Sequence, residues 1–247
     1  MDTTTTTRGR VTVERGAKRV RVYLSGQLVA DTSAPLLVWE TPYYPTYYFP
    51  VADVVAELVT TGQVDHSPSR GDAERFHIRV GAATAQVEAL GACHIVMSSP
   101  VDSLRGHCRI DWAAMDAWFE EDEQIHTHPR DPHRRVDVLH SSRRVRVSAG
   151  DLVLADTSRV AALFETGLPT RWYMHKTDVR MDLLVASATV THCPYKGQAE
   201  YYSLRAGTQS VDDVAWSYTA PFPESQKIAG MIAFMPSDRL SVAVEGE

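Results

Sequence analysis

The chain of 247 residues is long enough for one large domain or two ordinary ones with a buried core, and its 44% apolar and 23% charged residues argue against an extended disordered protein. A formal net charge of -6, with an isoelectric point near 5.9, argues against a generic phosphate-backbone binder. Such a protein carries a surplus of Lys and Arg to displace counterions, so no nucleic-acid partner is expected.

Residues 1–18 open on a threonine run, Thr3 to Thr7, with no apolar core like that of a signal peptide, and are expected to form a flexible tail. Beyond the tail the chain repeats itself. Residues 19–62 align on 144–187 at a constant offset of 125, and after one inserted residue 63–81 align on 189–207 at an offset of 126. Ala30-Asp31-Thr32-Ser33 matches Ala155-Asp156-Thr157-Ser158, Glu40 matches Glu165, and Tyr48 matches Tyr173. Asp53 falls on Asp178, His66 on His192 and Gly71 on Gly197. The duplication divides the chain into a first repeat over 19–121, a linker over 122–142 and a second repeat over 143–247.

Polar and apolar residues alternate in each repeat with the period of a half-buried strand. In the first repeat, strands are expected over 36–40, 47–49, 108–110 and 115–119, after a hairpin that turns at Ser25-Gly26. The second repeats the hairpin at Ala149-Gly150-Asp151 and continues with strands over 160–165, 171–174, 189–192, 199–206, 231–234 and 239–244. Only 178–184 has helical spacing, for a turn or two, with Thr177 or Asp178 as N-cap. The fold class expected is all-β: two similar compact β domains, tent-like or small barrels, with seven or eight short strands each and little helix.

The linker is acidic at Glu120, Glu121, Asp122 and Glu123, then broken by prolines and basic through Arg135, which suits a solvated connector. Its histidines, His126, His128, His133 and His140, lack a fixed third ligand, so no metal is assigned. No run approaches the roughly 18 apolar residues of a membrane span, so no membrane partner is expected. Cys93, Cys108 and Cys193 form no CxxC pair, which suggests a reducing, cytoplasmic compartment, and the first two, in apolar surroundings, are expected to be buried.

The densest chemistry lies in Thr191-His192-Cys193-Pro194-Tyr195-Lys196-Gly197. Pro194 suits the second position of a type I turn and Gly197 the left-handed position after it, as in a three-residue hairpin loop with a bulge. The first and fourth α-carbons of such a turn lie within about 7 Å, which lets Lys196 approach the Cys193 sulfur, where an ammonium favours the thiolate. Cys193 is therefore a candidate nucleophile, Lys196 its activator and His192 a candidate base, although strand alternation turns His192 and Cys193 to opposite faces. The alternative is a small buried hydrophobe at a hairpin. Ser67-Pro68-Ser69-Arg70-Gly71 keeps the turn in the first repeat without the thiol, so a chemical role for Cys193 makes the repeats unequal.

A second cluster comprises Glu165, Arg171, Tyr173, Asp178, Glu200 and Tyr202, with Trp216 and Tyr218 later. Together with Tyr195, its aromatics and Arg171 suit a pocket that stacks a planar ligand and pairs its charge. The alternative is ordinary core aromatics and a Glu165–Arg171 ion pair.

Several signatures carry a resemblance. They are Glu165-Thr166-Gly167-Leu168-Pro169-Thr170-Arg171-Trp172-Tyr173, the 178–184 segment, the Cys193-Pro194-Tyr195-Lys196-Gly197 turn, Trp216-Ser217-Tyr218 and Ile228-Ala229-Gly230. Through them the chain resembles tandem copies of the domain of unknown function 427 family over most of 19–247. The resemblance implies a compact tent-like β fold similar to that of zinc-binding and thiol-handling families, whose paired CxxC motifs are missing from this sequence. The family is sometimes labelled nucleotidyltransferase-like, but no Gly-Ser followed by an Asp-x-Asp pair is present to hold magnesium. The function expected is that of a small-molecule-binding protein with Cys193-centred thiol chemistry and no cofactor. A non-catalytic protein-interaction module, self-associating as a homo-oligomer, is the alternative, and nucleotidyl transfer the third.

Overall fold

The computed structural model describes residues 11–82 and 84–246, so the threonine run lies outside the described residues. Strand accounts for 58% of the structure and helix for 9%, the latter as short 3-10 segments among the described residues. Among the described residues no helix is long and apolar enough to cross a membrane. The chain divides into two units, Met1–Asp131 and Pro132–Glu247.

The first unit contains β1 (Thr12–Arg15), β2 (Val20–Leu24), β3 (Gln27–Thr32), β4 (Leu36–Trp39), β5 (Thr46–Pro50), β6 (Glu57–Ser67), β7 (Gly71–Val80), β8 (Val87–Ser98), β9 (His107–Ile110), β10 (Ala117–Glu120) and β11 (Glu123–Ile125). Seven of these form one antiparallel sheet in the order β1-β4-β5-β9-β8-β7-β6, and the other four a second sheet, β11-β10-β2-β3. The second unit contains β12 (Val136–Ser141), β13 (Val145–Ala149), β14 (Leu152–Thr157), β15 (Val160–Glu165), β16 (Arg171–Met174), β17 (Leu184–Cys193), β18 (Gly197–Ala206), β19 (Gln209–Ser217), β20 (Ile232–Phe234) and β21 (Ser241–Val244). Its sheets run β12-β15-β16-β20-β19-β18-β17 and β14-β13-β21, which repeats the first unit strand for strand apart from β11. The sheets are open, each beginning and ending on a different strand, so the barrel alternative is corrected: no sheet closes on itself.

Alternation builds the core in the same way twice. Val20, Val22 and Leu24 of β2 point inward, and so do Val145, Val147 and Ala149 of β13, each against the large sheet of its own unit. The repeated Ala-Asp-Thr-Ser sequence is structural. Thr32 Oγ1 donates to Asp53 at 2.6 Å and accepts from the Ala34 N–H at 3.0 Å, and Thr157 Oγ1 donates to Asp178 at 2.8 Å and accepts from the Arg159 N–H at 3.0 Å. The preceding aspartates, Asp31 and Asp156, take Arg19 and Arg144 in matching bidentate pairs.

Three boundaries differ from those the sequence suggests. Strand β1 lies inside the expected tail and β12 inside the expected linker, where they pair with the equivalent strands β4 and β15. Strand β11 also lies in the linker segment, paired with β10. The expected helix over 178–184 is replaced by two 3-10 turns, Lys176–Asp178 and Met181–Leu183, neither with a side-chain cap. Between them Val179 forms a bridge to Ala155, and the Asp178 carboxylate is drawn to Thr157 and Arg159 instead of capping the turn.

In the second unit the large sheet is apolar on both faces. Ala162, Trp172, Met174, Ala215, Ile232 and Phe234 face the small sheet, whereas Ala161, Leu163, Tyr173, Ala199, Trp216 and Ala233 face the other way. The 3-10 segment Pro223–Ile228 lies against β12 and adds buried Ile228 to this outer layer. The site is built on this outer face.

Candidate functional site

The hairpin between β17 and β18 has the expected form. Cys193 pairs with Gly197, which leaves Pro194, Tyr195 and Lys196 as a three-residue loop, and Gly197 has φ +94°, a value that favours glycine. The Lys196 carbonyl accepts from the Phe222 N–H at 3.2 Å, tying the loop to the segment after β19. In the first repeat Ser67 pairs with Gly71 around the matching loop.

Lys196 has a carboxylate partner. Its ammonium bonds the Glu165 carboxylate, and the two side chains are 11% and 7% exposed, so a buried ion pair clamps the loop to the end of β15. Lys196 thereby takes the carboxylate expected to pair with Arg171. The Arg171 guanidinium lies 6.0 Å from the centroid of the Trp216 ring and 3.9 Å from the Met235 sulfur, and among the described residues it has no carboxylate within salt-bridge distance.

Cys193 is half-buried against the outer aromatic layer. Trp216 Nε1 donates to the Tyr173 hydroxyl at 3.1 Å with the rings nearly perpendicular, and Tyr201 packs beside Trp216 with its hydroxyl 3.0 Å from Thr191 Oγ1. Burial pushes the Tyr173 phenol above its ordinary pKa, opposed by donation from Trp216 and reinforced by the nearby Cys193 and Glu165. Burial likewise raises Tyr218, with further contributions from Tyr173, Cys193, Tyr201 and Glu165. Both phenols therefore stay protonated at neutral pH and serve as donors, not bases. The Tyr218 hydroxyl makes no hydrogen bond among the described residues.

Of the sequence-derived candidates, the structure brings Cys193, Glu165, Lys196, Tyr173, Trp216, Tyr218 and Arg171 to one face of one sheet. Tyr195 is half-buried at the middle of the loop. His192 is exposed and alternates with Cys193 along β17, so the two side chains leave the strand on opposite faces. Tyr202 belongs to the inter-sheet core, Glu200 accepts from Thr219, and Asp178 accepts from Thr157 and Arg159, so these three leave the cluster. Tyr201 replaces Tyr202; its register opposite Trp216, two residues beyond Ala199 of the same outer face, is the signal that identifies it. Cys93 and Cys108 are buried as expected, and the hydrogen bond of the Cys108 thiol to Cys93, then burial, raise the Cys108 pKa. Among the described residues no group of three or more His, Cys, Asp or Glu is placed to hold a metal ion.

The first repeat offers an internal comparison. Tyr48 donates to Glu40 at 2.9 Å, and Glu40 also holds Arg70 at 2.7 Å and Arg109 at 3.4 Å. Burial, then Glu40, push the Tyr48 pKa up to about 12. Arg75 pairs with His94, and His94 with Arg109, in the register that joins Tyr201, Trp216 and Ala233 in the second repeat. His94 lies between Asp65 at 2.9 Å and Asp111 at 3.2 Å, while Arg75 also holds Asp65. The face that is aromatic and carries a thiol in one repeat is thus a continuous network of ion pairs in the other.

A model of the family described as a domain of unknown function, DUF427, matches residues 12–121 and again residues 137–246. The matches start within one residue of the first residues of β1 and β12, the two strands that a boundary drawn from the sequence alone left outside the repeats. A comparison with curated proteins finds no match.

Proposed function

The chain belongs to the DUF427 family, with two copies of its domain in tandem, and from the difference between those copies we propose that the second binds a small molecule at the face around Cys193 and reacts with it through the thiol. The observation that carries this reading is the seat of Cys193, half-buried on aromatic residues beside Tyr218, a phenol with no hydrogen-bond partner among the described residues, where the first repeat has Ser67. Aromatic surface with a few convergent polar groups is the usual lining of a small-ligand site.

In the reaction the Cys193 sulfur attacks an electrophilic carbon. For a carbonyl or activated alkene, the S–C bond forms as the π pair moves onto oxygen, which accepts a hydrogen bond from Tyr218, and the thiol proton passes to solvent. Lys196 and Glu165 hold the loop that presents the sulfur. Three free cysteines fit a reducing compartment, in keeping with a cytoplasmic protein.

The test is intact-mass analysis after incubation with small acrylamides and chloroacetamides. A single selective adduct is expected in the wild-type protein and none in Cys193→Ala, whose melting temperature should fall by no more than about 4 °C, equivalent to about 1 kcal/mol. Equal adduct formation by the variant, or none by the wild type, would refute the proposal.

A further inference from the structure

Donors outnumber acceptors at this face of the second repeat. Tyr218 is 5% exposed, and its hydroxyl donates to nothing among the described residues. Tyr173 is 1% exposed; its hydroxyl accepts from Trp216 and likewise donates to nothing described. Arg171, aligned with Thr46 of the first repeat, supplies a guanidinium whose described contacts are a ring face and a thioether. Glu165, the carboxylate at this face, is already held by Lys196. In the first repeat the Tyr48 hydroxyl donates to Glu40 and the arginines reach the carboxylates of Glu40, Asp65 and Asp111, with Arg109 Nε buried without a partner among the described residues. A surplus of donors beside a cation is met by an anionic acceptor.

We propose that the ligand of the second repeat is a small organic carboxylate, whose anionic oxygens accept from the Tyr218 hydroxyl and the Arg171 guanidinium while its electrophilic carbon meets the Cys193 sulfur. The inference rests on the thiol site argued above and adds the charge of its ligand.

Iodoacetate and iodoacetamide are the probes, because they differ in a carboxylate against a neutral amide of similar size. With either reagent the sulfur forms a bond to the methylene carbon, the C–I bond breaks, iodide leaves with the bonding pair and the thiol proton goes to buffer. The rate of each at Cys193 is followed by peptide mass spectrometry in the full-length protein, folded and unfolded in urea. The iodoacetate-to-iodoacetamide ratio is expected to be at least about threefold higher at Cys193 in the folded chain than in the unfolded one, since a nearby cation favours the charged reagent. Arg171→Gln should return the ratio toward the unfolded value, and Tyr218→Phe should lower it while preserving ring packing. Labelling by both reagents at the unfolded ratio would overturn the carboxylate inference and leave the thiol site standing. Labelling by neither would overturn both.

Discussion

Lys196 places an ammonium under the outer face of the second repeat, and its tolerance there depends on the Glu165 carboxylate. Removing one member of a buried pair leaves the other uncompensated at a cost of about 3–5 kcal/mol. Lys196→Met is therefore expected to lower unfolding free energy by that order in urea denaturation. Lys196→Arg, the residue present at Arg70 in the first repeat, should stay within about 1 kcal/mol of wild type. A loss as large for arginine as for methionine would mean that the charge pair is not what holds the loop. At this scale the sequence was a partial guide. It grouped Glu165, Tyr173, Trp216 and Tyr218, which the fold places on one face, yet it did not reveal the Lys196–Glu165 pair, because turn geometry sets where an α-carbon lies and not where a flexible four-carbon side chain ends.

The hairpins were the most legible elements, since a Pro and a Gly at fixed offsets specify both the loop length and the residue with positive φ. The two versions of the turn differ in tolerance. A β-carbon on Gly71 would lie 1.9 Å from the Ser98 carbonyl oxygen, whereas one on Gly197 would meet nothing closer than 3.5 Å. Gly197→Ala should cost only the left-handed strain of about 1–2 kcal/mol, and Gly71→Ala more than that, because backbone must move. Thermal unfolding of the two variants checks the order, and equal losses would contradict it. The edge strands β1 and β12 were not legible, as β1 has only four residues and β12 follows a proline-rich stretch; both take their conformation from pairing with β4 and β15. Helical spacing at 178–184 was misleading for a related reason, since tertiary demands on Asp178 and Val179 override a local pattern seven residues long.

Across the whole molecule, duplication is the strongest signal in the sequence, and the identical strand orders of the two large sheets express it. What alignment could not show is that the same face was filled differently in each copy. That difference appears only when register sets His94 against Trp216 and Arg109 against Ala233. At this face the first repeat pairs its arginines with carboxylates, and among the described residues the second leaves a thiol, the Tyr218 hydroxyl and a guanidinium without a carboxylate at an aromatic surface.

The measurement that tests this division most directly is site-resolved alkylation of the folded protein by iodoacetamide, with Cys93 and Cys108 as internal references. Those two thiols are fully buried and become reactive only when the first unit opens, whereas Cys193 is half-buried in the native state. Cys193 should label at least about 100-fold faster than either reference. Labelling of Cys193 as slow as that of Cys93 and Cys108 would identify it as a structural thiol and contradict the account.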